Sequence, residues 1–146
     1  MLPNRSIPPC TVIHELAYTN VTQAAEWLCD SFGFTVRVRI GDHRVQLNVG
    51  DGAIVVVERP QGTTPSVRPI DSVMVRVAEV DSHHQRSVTR RVHIVRPPTT
   101  YPYGERQYTA LDPGGHSWTF SQSVADVAPE EWGGETGSLQ PSLENS

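Results

Sequence analysis

The sequence contains no lysine and only two cysteines, and both scarcities narrow the functions open to it. All 12 basic residues are arginine, they form no cluster, and the formal net charge is -4. The positive footprint that general nucleic-acid binding needs for counterion release is therefore missing. Cys10 and Cys29 have neither zinc-site nor redox spacing. No apolar run approaches the ~20 residues needed to cross a bilayer, so no membrane partner is expected. No apolar segment of the kind a secretory leader carries follows Met1-Leu2-Pro3-Asn4-Arg5, and a reduced, cytoplasmic setting is expected. The six histidines show no HxH or HExxH spacing for a shared metal. Ser117 and Ser121 lack a nucleophile elbow, and neither cysteine has an activating neighbour.

What is present suits one compact domain: 146 residues, 37% hydrophobic and 19% charged. Residues 1–10 hold three prolines and no periodicity and read as an N-terminal arm. A strand is expected over Thr11 to Tyr18. Asn20-Val21-Thr22-Gln23 then has the form of a capping box, and Val21, Ala24, Ala25, Leu28 and Phe32 make an apolar helical stripe that Gly33 ends. Strands over Thr35 to Ile40, His43 to Val49 and Ala53 to Glu58 are separated by tight-turn glycines. This first βαβββ module occupies residues 11–58. A polar connector, residues 59–69, leads to a second run of the same order in residues 70–122. It comprises a strand from Asp71 to Val77, a helix from Val80 to Val92 and a short strand Ile94 to Arg96 ended by Pro97-Pro98. A hairpin completes it, Arg106 to Leu111 and His116 to Ser121, around Asp112-Pro113-Gly114-Gly115. Residues 123–146 form an extension, expected to be disordered after about 133, with Trp132 positioned to dock on the body. Duplication of one supersecondary unit predicts a ligand between the copies.

The duplicated units, the Ala24 to Phe34 helix end, the Val80-Asp81 helix start, Tyr103-Gly104-Glu105-Arg106 and Asp112-Pro113-Gly114-Gly115-His116-Ser117-Trp118 together resemble the glyoxalase/bleomycin-resistance/dioxygenase (vicinal oxygen chelate) superfamily. The resemblance implies an α+β fold, with two βαβββ modules forming a U-shaped mixed-sheet cavity, helices outside, and often a homodimer. In its enzymes a divalent metal is held by His, Glu or Gln from the first and last strands of each module. The matching positions here are Ile13, Val56, Ser72 and Thr119. Two cannot bind a metal, and lone hydroxyls are poor ligands. No cofactor is expected on this reading, and a divalent metal belongs to the alternative.

Strand alternation anchored on those four positions places Glu15, Arg44, Gln46, Asn48, Val56, Glu58, Ser72, Met74, Arg76, Ser117, Thr119 and Ser121 on an inward polar face. Leu16, Tyr18, Val45, Leu47, Val55, Val57, Trp118 and Phe120 then point toward the helices. The expected ligand-binding residues are Arg44, Gln46, Asn48, Ser72, Arg76, Arg106, Tyr108 and Thr119. Arg76 and Arg106 could hold an anion through their fork geometry or pair with Glu15 or Glu58. Tyr101, Tyr103 and Tyr108 could stack on an aromatic ligand or cover core. Glu15 and Glu58 are the candidate acid/base residues. His14 is expected to pack, His83 to be solvated and His84 to be half buried. The leading expectation is a metal-free small-molecule-binding or sequestering homodimer of the drug-resistance type. Its alternative is a glyoxalase- or dioxygenase-like enzyme with an unconventional metal or acid/base site.

Overall fold

Asn20 both ends the first strand and starts the first helix. Its side chain accepts from the Gln23 amide at 3.0 Å, satisfying one of the amides that a helix start leaves free. Gly33, at φ 80, closes the helix by donating its N–H to the Cys29 carbonyl. In this computed structural model, which describes residues 2–60, 62–63 and 71–137, the elements are β1 (His14–Tyr18), α1 (Val21–Phe32), β2 (Thr35–Ile40), β3 (Arg44–Val49) and β4 (Gly52–Glu58). They are followed by β5 (Ser72–Arg76), α2 (Val80–Thr89), β6 (His93–Thr100), β7 (Glu105–Leu111), β8 (Ser117–Ser123) and a short 3-10 turn (Pro129–Trp132). The fold is α+β and repeats βαβββ twice, as expected. Sheet A has strand order β1-β4-β3-β2 and sheet B the equivalent β5-β8-β7-β6, with the first and last strand of each module parallel. Among the described residues no strand pairing joins the two sheets.

Three element boundaries differ from expectation by three residues or more. β1 begins only at His14, where its parallel pairing with β4 starts opposite Ile54. α2 ends at Thr89, with Arg91 in the left-handed region at φ 59. β6 continues through Pro97-Pro98 to Thr100. It lies at the edge of sheet B, and its pairing with β7 shifts register between Arg96 and Thr99, so the two prolines withhold no ladder donor.

One hydrophobic core serves both modules. Leu16, Leu28, Val45, Leu47, Ile54 and Val56 of the first join Tyr108, Ala110, Trp118 and Phe120 of the second. Phe32, at the end of α1, supplies the link, its ring 5.5 Å from Trp118 and 4.8 Å from Phe120. Arg86 of α2 donates to the Asp30 carbonyl at 2.9 Å, placing a cation at the negative end of α1. A polar joint reinforces the contact. The buried Asp112 carboxylate accepts from Tyr18 Oη (2.5 Å), Trp118 Nε1 (2.9 Å) and the amides of Gly114 and His116. His116 Nε2 donates to the Ala17 carbonyl at 2.8 Å, and Arg59 donates to the carbonyls of Ala17 and Gly114. Burial and the neighbouring Asp112 charge hold the Tyr18 phenol far above its ordinary pKa.

Candidate ligand-binding surface

The helix-facing sides of both sheets meet in the shared core, which turns their opposite, polar sides outward. On sheet B that side carries Ser72, Met74 and Arg76 of β5, Ser117, Thr119 and Ser121 of β8, and Glu105, Gln107 and Thr109 of β7. Thr119 stands at the centre, its hydroxyl 3.0 Å from Ser72 and 3.1 Å from Thr109. A second chain runs from Gln107 Nε2 to Ser121 Oγ (3.0 Å) and on to Glu105 (2.6 Å). Hydrogen bonds from Ser121 and Ser123 hold the Glu105 carboxyl below its usual pKa, so it accepts hydrogen bonds as an anion. Met74 lies among these polar groups with 64% of its surface exposed.

On sheet A the polar side carries Glu15, Arg44, Gln46 and Asn48, as alternation predicts, and each has a partner. Arg44 pairs with Glu15 at 2.6 Å, and Asn48 donates to Thr35. Gln46 is only 2% exposed, because the N-terminal arm lies over it and its amide donates to the Ser6 carbonyl. The candidate base Glu15 is thus an exposed ion-pair member, and Gln46 is covered in this conformation.

Several expected assignments are corrected by the ladders. Val56 pairs with Leu16 and Val45, both core residues, so Ile54, Val56 and Glu58 lie on the helix side while Val55 and Val57 take the polar-face register. Glu58 is exposed at the strand end opposite Tyr18, away from the polar face. Tyr108 pairs with Phe120 and is fully buried, with burial pushing its pKa up to about 12. It cannot contact a ligand on the polar side. Arg106, also on the helix side, makes an ion pair with Asp81 at 3.0 Å. His83 is not solvated: its ring lies 4.1 Å from Phe120, and its nitrogens reach Tyr108 Oη (2.5 Å) and the Phe32 carbonyl (3.1 Å). Nε2 therefore carries the proton toward the carbonyl and Nδ1 accepts from the phenol. His14 is exposed rather than packed. Trp132 docks as expected, 5.0 Å from the Tyr103 ring, which itself stacks on Tyr101. Tyr103 Oη reaches Gln107 at 3.4 Å and so adjoins the polar side. Of the segment expected to be disordered after about residue 133, residues 134–137 are described, with the Thr136 amide donating to Glu130, and the rest falls outside the described residues, as does most of the 59–69 connector.

Where the sheets meet, β1 and β5 border two clefts. One, of about 510 Å³, brings together Glu15, Arg59, Asp71, Ser72 and Ser117. The other, of about 440 Å³, is lined by His14, Ile54, Ser72, Met74 and Arg76. Of the expected site residues, Glu15 and Ser72 share the first cleft and Ser72 and Arg76 the second, whereas Glu58, Arg106 and Tyr108 line neither.

The family model for the Glyoxalase/Bleomycin resistance protein/Dioxygenase superfamily matches residues 9–120. The chain belongs to that superfamily. Among superfamily-like solved structures, TioX from Micromonospora sp. ML1 is 33% identical at a TM-score of 0.67, over 79% of this chain and 99% of that one. TnmS3, an antibiotic binding protein from Streptomyces sp. CB03234, is 23% identical at a TM-score of 0.62, covering 76% and 93%. A lactoylglutathione lyase from Agrobacterium tumefaciens, 17% identical at a TM-score of 0.62 over 80% and 96%, shares the fold. No curated protein shows significant similarity.

The metal of superfamily enzymes does not suit these residues. Moving the last-strand position of the first module onto the polar register replaces Val56 by Val55 or Val57, which are equally unable to ligate. Among the described residues, no group of three or more His, Cys, Asp or Glu side chains is arranged to hold a metal ion. No helix among them is long and apolar enough to cross a membrane.

Proposed function

We propose that this superfamily member binds and sequesters a small molecule without a metal, as a homodimer whose second copy covers the outward polar sides. The carrying observation is the chemistry of the positions where family enzymes ligate metal: Ser72 and Thr119 are tied into a hydroxyl chain with Thr109, and their counterparts on sheet A are aliphatic. Hydroxyls, amides, Arg76 and the anionic Glu105 around an exposed Met74 suit a ligand with several hydrogen-bonding groups on an apolar frame. The antibiotic-binding character of TnmS3 supports the same direction. A wide-open surface carrying Met74 supports a covering second copy.

The enzymatic alternative joins Glu58 to Glu15 or a histidine, and the exposed position of Glu58 at the end of β4, outside the clefts that Glu15 and Ser72 line, counts against that pairing. The test is a thermal-shift screen of the purified chain against antibiotics, with and without Zn, Ni, Mn and Fe, alongside metal analysis and sedimentation. Expected are a stabilising compound that acts equally in chelator and a mass of two chains. One equivalent of tightly held metal required for ligand binding would overturn the metal-free reading, and a monomer that binds ligand would overturn the dimer.

A further inference from the structure

Arm residues Arg5 to Pro8 lie against the polar side of sheet A as a bound peptide would. Gln46 Nε2 donates to the Ser6 carbonyl at 2.7 Å and Arg37 Nη2 donates to the Arg5 carbonyl at 3.1 Å. Arg37 Nη1 also donates to Gln46 Oε1 at 2.5 Å, which fixes the amide so that its nitrogen faces the arm. Arg37 reaches this position because the β2–β3 pairing shifts register between Val36 and Val38, an irregularity that re-aims the intervening side chain. Both contacts are to main-chain carbonyls of successive residues, so the recognition is of a peptide unit rather than of particular side chains. Little else anchors the arm. Pro8 is buried, but Leu2 and Ile7 are exposed, so few apolar contacts oppose its departure.

We propose that Arg37 and Gln46 form a recognition site for two adjacent peptide-type carbonyls, and that Arg5 to Pro8 are its resident, displaceable occupant. A ligand carrying two amide or ester carbonyls one peptide unit apart would replace the arm and meet the same donors. The inference rests on the reading of the polar side as the ligand surface, and it adds the ligand's chemistry and a built-in competitor.

Arg5 provides the assay. Tryptic cleavage after Arg5 releases Met1 to Arg5 from the full chain, and it requires the Arg5 carbonyl to leave Arg37 and the arm to lift. When opening is fast relative to cleavage, the release rate follows the population of the lifted arm. Gln46→Glu keeps the acceptor for Arg37 but loses the donor to Ser6, and Arg37→Ala removes the other contact. Each is expected to release the pentapeptide about tenfold faster than wild type, the effect of one such hydrogen bond. Cleavage after Arg86 and Arg106 in the same digest identifies any variant that has merely unfolded, and Arg37→Gln then replaces it. The capped peptide acetyl-Ala-Ser-Ile-Pro-amide, at millimolar concentration, is expected to accelerate release from wild type and to have no effect on Arg37→Ala. Equal release from wild type and Gln46→Glu overturns the recognition site. A protected arm that the peptide does not displace overturns its exchangeability. Failure of the broader ligand reading has a different signature: no compound stabilises the chain while the arm behaves as predicted.

Discussion

The polar joint at Asp112 is the place where a single atom should be felt across both modules. Tyr18→Phe removes only the phenolic oxygen and leaves the ring in the core. The lost bond is buried, short and made to a carboxylate, the class worth about 1.5–3 kcal/mol. For a chain of this length each kcal/mol moves Tm by about 2–4 °C, so Tyr18→Phe should melt roughly 3–12 °C lower. Asp112→Ala is more severe, because it strands Tyr18 Oη, Trp118 Nε1 and two turn amides at once. The turn amides can recover water, which sets the expected loss at about 3–5 kcal/mol rather than the sum of four bonds. Urea denaturation of wild type, both single variants and the double variant gives the coupling directly. An energy of about 1–2 kcal/mol between positions 18 and 112 is expected. A Tyr18→Phe protein within about 0.5 kcal/mol of wild type, or strict additivity in the cycle, would refute the joint as a source of inter-module stability.

Two further outcomes follow from the corrected placements. Burial lowers the His83 pKa below its ordinary 6.5, so the unfolded chain binds more protons as pH falls through that value. Stability should therefore decline below about pH 6.5 and level off beneath the folded-state pKa. Comparing denaturation midpoints of wild type and His83→Gln from pH 7.5 to 5 checks this, and an unchanged slope in the variant would count against it. Arg106→Ala should leave ligand affinity unchanged and reduce stability by less than about 1 kcal/mol, since its Asp81 partner is exposed, whereas Arg76→Ala should weaken binding. Isothermal titration of both with any compound found in the thermal screen decides it, and a reversed pattern would mean that the polar side has been misidentified.

The fold was legible because its signals are local: a side-chain cap at Asn20, a left-handed stop at Gly33, and an Asp-Pro-Gly-Gly turn that sets the register of β7 and β8. Trp118 and Phe120 alternate with small polar residues, so their faces could be assigned from sequence. β4 offers no such contrast. Ala53 to Val57 are all apolar, and only pairing with Leu16 and Val45 shows that Val56 and not Val55 joins the shared core. The error at Glu58 follows from that single slip of register. Tyr108 and Arg106 could have been placed by counting back from the hairpin turn, since Leu111 opposite Ser117 puts Tyr108 opposite Phe120. On α2 Val80, His83 and Ser87 follow the helical period and face inward, which is why His83 is packed rather than solvated. Val88 is accordingly exposed. The cover over Gln46 comes from a segment 40 residues away with no periodicity of its own, and no local pattern could announce it.

β6 runs along an open margin of sheet B, and such margins invite strand addition and aggregation because their amides and carbonyls can pair with an incoming chain. At Pro97 and Pro98 that template is broken: two consecutive positions have no N–H to offer, and the backbone there is already out of step with β7. An approaching strand would lose its ladder midway along the margin. The proline pair thus disfavours strand addition along the β6 margin of sheet B, so a partner approaching on that side would meet side chains rather than a continuous ladder.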